Sequence, residues 1–163
     1  MARIVQADVL MVDLVPKVER TDAIQSFVSQ ETPILTVYDS DGACGTGYTY
    51  TIGTGGPSVM ALLEHTLLPR LIGQDPDRIE AIWRDLLFAT HATAVGAITS
   101  LALAAIDTAL WDLRCRKQGV PLWKAAGGTR DSIPLYSTEG GWLHLSPEAL
   151  VEDAMAMKDQ GFN

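Results

Sequence analysis

The chain has 163 residues, 47% hydrophobic and 20% charged, with a formal net charge of −8 and a pI near 4.7. That balance describes a globular domain with a real core. It argues against a nucleic-acid binder, which needs a basic patch to displace counterions from phosphates, and against docking on an anionic membrane. The longest apolar stretch, residues 92–106, is broken by Thr93, Thr99 and Ser100 and falls short of the roughly 20 apolar residues that a membrane span needs.

Residues 3–14, rich in apolar and β-branched side chains, read as a strand. Asp8 and Asp13 lie inside that pattern, where a secretory leader has no use for acids, so a cytoplasmic location is expected. Residues 16–32 are mostly polar and read as a flexible loop of unusual length for a compact domain. Residues 33–39 form a second predicted strand, Ser40-Asp41-Gly42 a hairpin turn, and residues 43–52 a third strand. Three antiparallel strands with one apolar face need helices to cover them.

The helices follow. Ser58 is placed to cap a helix whose apolar positions Met60, Leu63, Leu67 and Leu68 recur at helical spacing, with Pro69 and Gly73 as its stop. Asp75-Pro76 opens a second, carrying Ile79, Ile82, Trp83, Leu86 and Leu87. A third is predicted over 93–118, apolar nearly all round in its first half and ended by Gly119 and Pro121. After Gly127-Gly128 the composition changes. Residues 132–138 read as a new strand, Gly140-Gly141 as a loop, and Ser146-Pro147 as the cap and first turn of a helix ended by Gly161. This is one βα unit, and a lone parallel-type strand cannot bury both its faces. The chain therefore reads as stopping partway through a second architecture.

Chemistry-bearing motifs are sparse. His65, His91 and His144 form no metal spacing and read as structural or exposed, His144 being the least so because it follows a glycine loop. Gly45, Gly47, Gly53, Gly55 and Gly56 lack the Lys-Ser/Thr of a phosphate loop and read as hairpin and loop glycines. Asp107 and Asp112, five apart on one helix, face different ways, whereas Asp112 and Arg116 are spaced to pair. Cys44 and Cys115 stand in no CxxC pattern and read as free thiols.

The stretch 102–128, ALAAIDTALWDLRCRKQGVPLWKAAGG, resembles the signature of the mandelate racemase and muconate lactonizing enzyme group of the enolase superfamily. Ala104, Ala105, Ile106, Asp107, Ala109, Leu110, Trp111, Asp112, Arg116, Gly119, Pro121, Leu122 and Gly127 match it. Cys115, Ala125 and Ala126 depart, at packing positions. The resemblance implies an α+β fold: a three-stranded antiparallel sheet on a helical layer over residues 1–128, the capping domain, followed over 129–163 by the first strand and helix of an incomplete TIM-type barrel.

The resemblance also implies a Mg²⁺-dependent enzyme that removes a proton alpha to a carboxylate: a racemase, a cycloisomerase or an acid-sugar dehydratase. Residues 130–144 look more like the sugar-acid dehydratases. The expected partner is a small-molecule carboxylate, with no nucleic acid and no membrane, and the expected assembly a homo-oligomer. In such enzymes capping-domain loops close the site and exclude water. Here these correspond to residues 15–30 and 48–57, with Val15, Lys17, Val18, Tyr50 and Ile52 as implied substrate contacts. Lys17 and Arg20 suit an acidic substrate by charge; Val15 and Val18 would seal against apolar groups.

A substrate-contacting hydroxyl is implied at the end of the first barrel strand, Thr138 first and Ser137 second. Gly161-Phe162-Asn163 matches the approach to the family's Lys-x-Lys motif. No catalytic base and no metal ligand is assigned within the chain, Mg²⁺ being expected on residues outside it, and the chain alone is expected to be inactive. The competing reading is a stand-alone α+β binding module without catalysis.

Overall fold

The computed structural model describes residues 1–94, 96–139 and 141–162. The predicted Gly140-Gly141 loop and the Gly-Phe-Asn terminus fall partly outside them, at Gly140 and Asn163, as does Val95 at the head of the third predicted helix. In chain order the elements are strand β1 (Ile4–Leu14), two short strands β2 (Arg20–Thr21) and β3 (Ser26–Phe27), β4 (Gln30–Asp39), β5 (Cys44–Tyr48), and helices α1 (Gly56–Leu62), α2 (Leu68–Leu71), α3 (Ile79–Ala89), α4 (Ala97–Gln118), α5 (Leu122–Ala125) and α6 (Pro147–Asp159). No helix among the described residues is long and apolar enough to cross a membrane.

The chain divides into two compact units. The first comprises Met1–Leu14 and Gln30–Gly128, the second Val15–Ser29 and Thr129–Asn163. In the first, β1, β4 and β5 form the expected antiparallel sheet with β4 at its centre. Along β4 burial alternates with period two over Pro33, Leu35, Val37 and Asp39, as a strand with one covered face requires. Pro33 sits in this central strand without breaking it. Its carbonyl accepts from the Thr49 N–H at 3.1 Å, and having no N–H to return, it coincides with the point where regular pairing of β5 stops, after Tyr48.

Helices cover the other side of that face. Leu35, Val37 and Ile4 meet Val59, Leu63 and Leu67 from the first helical layer, Ile82 and Leu86 from α3, and Ile106, Leu110 and Leu113 from α4. The closest approach is between β5 and α4. A Cβ placed on Gly45 would lie 2.2 Å from the Ala109 carbonyl oxygen, and one on Gly47 would lie 2.1 Å from that of Ala105. These two are therefore strand-interior glycines selected by helix packing, a role that their reading as hairpin and loop glycines missed.

Three further expectations are revised. Pro69 does not stop the first helix. A single wider turn, a π-helical segment over Leu63–Leu67, precedes it, and the helix continues to Leu71. A prolyl ring clashes with the carbonyl four residues back, and a wider turn just before it carries that carbonyl away. Ser58 makes no cap; the α1 N-terminus follows Gly55 at φ 100°. The predicted strand over 132–138 does not form: the stretch has no ladder partner among the described residues, and Ile133, Leu135 and Tyr136 are exposed. A strand exists only through its neighbour's hydrogen bonds.

Other expectations hold. Gly119 ends α4 at φ 64°, Ser146 Oγ accepts from the Ala149 N–H at 3.2 Å, Gly161 follows α6 at φ 93°, and both cysteines are free.

Asp39, on the buried face of β4, has a fully covered side chain. Its Oδ1 accepts from the Asp41 and Ala43 N–H groups at 3.0 Å each, closing the hairpin turn. Its Oδ2 accepts from Lys117 Nζ at 2.6 Å. Burial pushes this carboxyl upward, but Lys117 and the two turn amides hold it below the ordinary carboxylate range.

Two outcomes follow. Gly45→Ala should cost about 3 kcal/mol by chemical denaturation, because helix and strand must separate, whereas Gly73→Ala, at φ 82° with open space around it, should cost only about 1 kcal/mol. Lys117→Met should cost about 2 kcal/mol at neutral pH. Because the folded carboxyl is depressed, the stabilisation is present above the ordinary carboxylate range and lost below it. The gap between variant and wild type should therefore shrink below about pH 4.

Candidate functional site

The predicted site residues divide between the two units. Tyr50 and Ile52 belong to the first, exposed on the loop that follows β5. Val15, Lys17, Val18, Ser137 and Thr138 belong to the second.

In the first unit the loop over 48–57 is pinned by a residue that sequence reasoning missed. Glu31 on β4 extends its carboxylate to the start of α1. Its Oε2 accepts from the Gly56 N–H at 2.8 Å and from the Thr51 hydroxyl, while its carbonyl accepts from the Thr51 N–H at 2.9 Å. A carboxylate at a helix N-terminus satisfies orphan amides and complements the dipole, so Glu31 does what Ser58 was expected to do. The cap lies far away in sequence and carries no local spacing signal. On α4, Asp112 Oδ2 accepts from Arg116 Nε at 2.7 Å, the expected pair, and also from the Thr46 N–H of β5 at 2.8 Å.

In the second unit the polar loop carries more order than its composition implies. Its two short strands pair as Arg20 with Phe27 and Thr21 with Ser26. Asp22 Oδ1 accepts from the Ile24 and Gln25 N–H groups at 2.7 and 2.9 Å; these bonds hold its carboxyl below the usual range. The tip of this hairpin is thus an Asx turn, which the spacing from Asp22 to Gln25 could have signalled.

The loop joins the later segment of the same unit through Arg20. Arg20 Nε donates to Glu139 Oε1 at 3.1 Å, and its Nη2 contacts the same oxygen. Trp142 Nε1 donates to Glu139 Oε2 at 3.0 Å. The Phe27 ring meets the Trp142 ring edge-on, with centroids 5.9 Å apart, and the Leu143 N–H donates to the Thr21 carbonyl at 3.1 Å. The Arg20 guanidinium and the Trp142 indole hold the Glu139 carboxyl below its ordinary range, and Glu139 in turn raises Arg20. Arg20 is therefore committed to an internal partner, contrary to its reading as a cation offered to substrate.

Lys17 is exposed and has no ion-pair partner among the described residues; Val15 and Val18 are exposed beside it. Ser137 is half-buried and its Oγ accepts from the Glu139 N–H at 3.2 Å. It also lines a cleft of about 540 Å³ together with Tyr136, Met157 and Lys158. Thr138 is exposed. Among the described residues no three His, Cys, Asp or Glu side chains stand close enough together to hold a metal ion.

Residues 7–127 match the family described as mandelate racemase / muconate lactonizing enzyme, N-terminal domain. The chain belongs to this family. Its 102–128 signature, with Asp112 and Arg116 paired and Gly119 closing α4, lies almost wholly within the matched region. Among curated relatives it is 40% identical over 101 residues to a 3,6-anhydro-alpha-L-galactonate cycloisomerase of Streptomyces coelicolor, covering 62% of this chain and 28% of the relative. It is 31% identical over 128 residues to an L-talarate/galactarate dehydratase of Salmonella typhimurium, covering 78% of this chain and 32% of the relative.

The structure is similar to that of the Salmonella typhimurium dehydratase liganded with Mg and L-lyxarohydroxamate, with TM-score 0.90, 27% identity, and 98% of this chain and 42% of that one covered. It is also similar to a racemase from Streptomyces coelicolor with bound magnesium, at TM-score 0.91 and 31% identity over 98% of this chain and 44% of that one. The chain thus spans about a third of the length of these curated relatives.

Glu31→Ala should free the 48–57 loop and cost about 1–2 kcal/mol, the value of a lost helix cap. Denaturation and amide exchange over 51–56 are the measurements, and exchange in β1 should stay unchanged if the effect is local.

Proposed function

We propose that this chain is the capping part of an enzyme that abstracts a proton alpha to the carboxylate of a sugar acid, and that its segment Val15–Ser29 is the lid over the substrate. The relatives' named substrates, a galactonate derivative and the talarate/galactarate pair, support an acid-sugar substrate. Racemisation, cycloisomerisation and dehydration begin alike, with loss of that proton, and Mg²⁺ would stabilise the enediolate formed. On the family resemblance, the reading assigns Mg²⁺ and the base to residues outside this chain.

The observation that carries the proposal is the behaviour of the loop. A polar segment without a core of its own is nonetheless ordered, through Arg20, Thr21 and Phe27, on Glu139, Leu143 and Trp142 of the same unit. A lid has to be well placed when closed and weakly enough held to open. Lys17 is exposed without an ion-pair partner among the described residues, and Val15 and Val18 are bare. Lys17 is positioned to attract a carboxylate, and the two valines to exclude water once the lid is down. Tyr50 and Ile52, as exposed side chains of the other unit, and Ser137 and Thr138, as hydroxyls, are proposed substrate contacts on the same reading. The chain then shapes the reaction and does not perform it, and the whole enzyme is proposed to act as a homo-oligomer in the cytoplasm.

In the full-length protein Lys17→Ala should raise KM for a sugar acid about tenfold, the worth of one charge-assisted hydrogen bond, and Val18→Ala should lower kcat. The melting temperature should hardly move, since neither side chain is buried. Steady-state kinetics beside a thermal melt decide it. If both variants keep wild-type kcat and KM, the segment is a linker and the lid reading fails.

A further inference from the structure

The second unit holds its loop by very little. The ladder between β2 and β3 is two residue pairs long, and so short a hairpin does not persist alone in water. Its order must come from what it touches. Beside the Leu143 N–H bond to the Thr21 carbonyl, the side-chain contacts centre on Glu139, whose Oε1 takes Arg20 and whose Oε2 takes the Trp142 indole N–H. The backbone N–H of Glu139 donates to Ser137 Oγ, which aims the carboxylate. Trp142 is itself gripped from the loop side, by the edge of Phe27 and by the Arg20 guanidinium 5.9 Å from the ring centroid.

We propose that Arg20, Glu139 and Trp142 form the latch that holds segment 15–29 in its closed position, with Arg20 and Glu139 as positioning residues for Lys17 and Val18. The latch rests on the lid reading above and adds the groups that hold the lid. None of the three is assigned contact with the substrate. Their side chains suit a reversible closure. The Arg20 and Glu139 side chains are 36% and 33% exposed, so water competes for the pair and it can break. The planar guanidinium fork and the indole N–H nevertheless donate to the carboxylate in one orientation, so closure returns the loop to one place. Lys17 and Val18 lie three and two residues before Arg20, and any shift of Arg20 carries them with it.

Amide hydrogen exchange on the full-length protein tests this. Glu139→Ala should accelerate exchange over 20–27 about tenfold, the loss of a charged hydrogen-bond acceptor, and leave residues 97–118 unchanged. Arg20→Met should do the same, and the double variant should exchange no faster than either single one, because both break one unit. Glu139→Gln, which keeps an acceptor for Trp142, should recover part of the protection. In kinetics Glu139→Ala should raise KM several-fold and lower kcat, because Lys17 and Val18 are both displaced, while exchange over 97–118 stays unchanged, a combination that general destabilisation does not produce.

Unchanged exchange over 20–27 in Glu139→Ala overturns the latch, as do additive effects in the double variant or equal acceleration over 97–118. The lid reading would then still stand or fall on the Lys17 and Val18 kinetics. Faster exchange with unchanged KM supports the latch and counts against the lid.

Discussion

The backbone of α4 lies directly on β5, and the rest of the first unit is arranged around that contact. With hydrogens for side chains at Gly45 and Gly47, the strand lets the carbonyls of Ala109 and Ala105 come to distances that any Cβ would forbid. Small residues on both sides make the interface shallow, so Leu35 and Val37 on the neighbouring strand join Ile106, Leu110 and Leu113 in one buried core. The same closeness brings two helix side chains to the hairpin. Asp112 caps the Thr46 N–H and Lys117 meets the buried Asp39. One close approach thus sets the packing of the sheet and the electrostatics of its turn.

Acidic side chains serve as local clasps throughout the chain. Asp39 closes the hairpin between β4 and β5, Glu31 caps α1, Asp22 shapes the loop tip, and Glu139 gathers Arg20 and Trp142. A chain of net charge −8 could have spread its acids over a solvated surface. Here several are held by backbone amides, which stabilise the ionised form wherever they converge. The clasps fall at the turn after β4, the loop after β5 and the loop before β4, while the interior relies on apolar contact. Loops that must be placed without a core of their own are placed here chiefly by directed polar bonds.

For function, the two loops implied by the family resemblance are held differently. The loop over 48–57 is stapled to the sheet by Glu31 through backbone and side-chain bonds. Segment 15–29 is organised by the partly exposed Arg20, by the Thr21 carbonyl and by one aromatic contact at Phe27. Free energies of local opening follow such differences, so the second is the more readily opened of the two. The segment proposed as the lid is thus the more weakly held of the two, and that contrast depends on the chemistry of the clasps more than on loop length.

The sequence by itself determined whatever obeys short-range rules. The order of the three sheet strands and of the long helices behind them, the largely apolar first half of α4, the Asp112 and Arg116 pair four residues apart, the Ser146 cap and the stop at Gly119 all follow from spacing along one chain segment, and so does the signature that indicates the family. Only the tertiary structure decided the rest. Gly45 and Gly47 look like turn glycines until a helix is laid on them, and Glu31 looks like a solvated strand residue until Gly56 returns to it. Arg20 looks free until Glu139, 119 residues later, takes it. Residues 132–138 have strand composition, yet without a bonding neighbour they form none. The physical reason is common to all four cases. A helix carries its hydrogen-bond partners within its own sequence, whereas strands, distant caps and ion pairs take theirs from parts of the chain that only folding brings near.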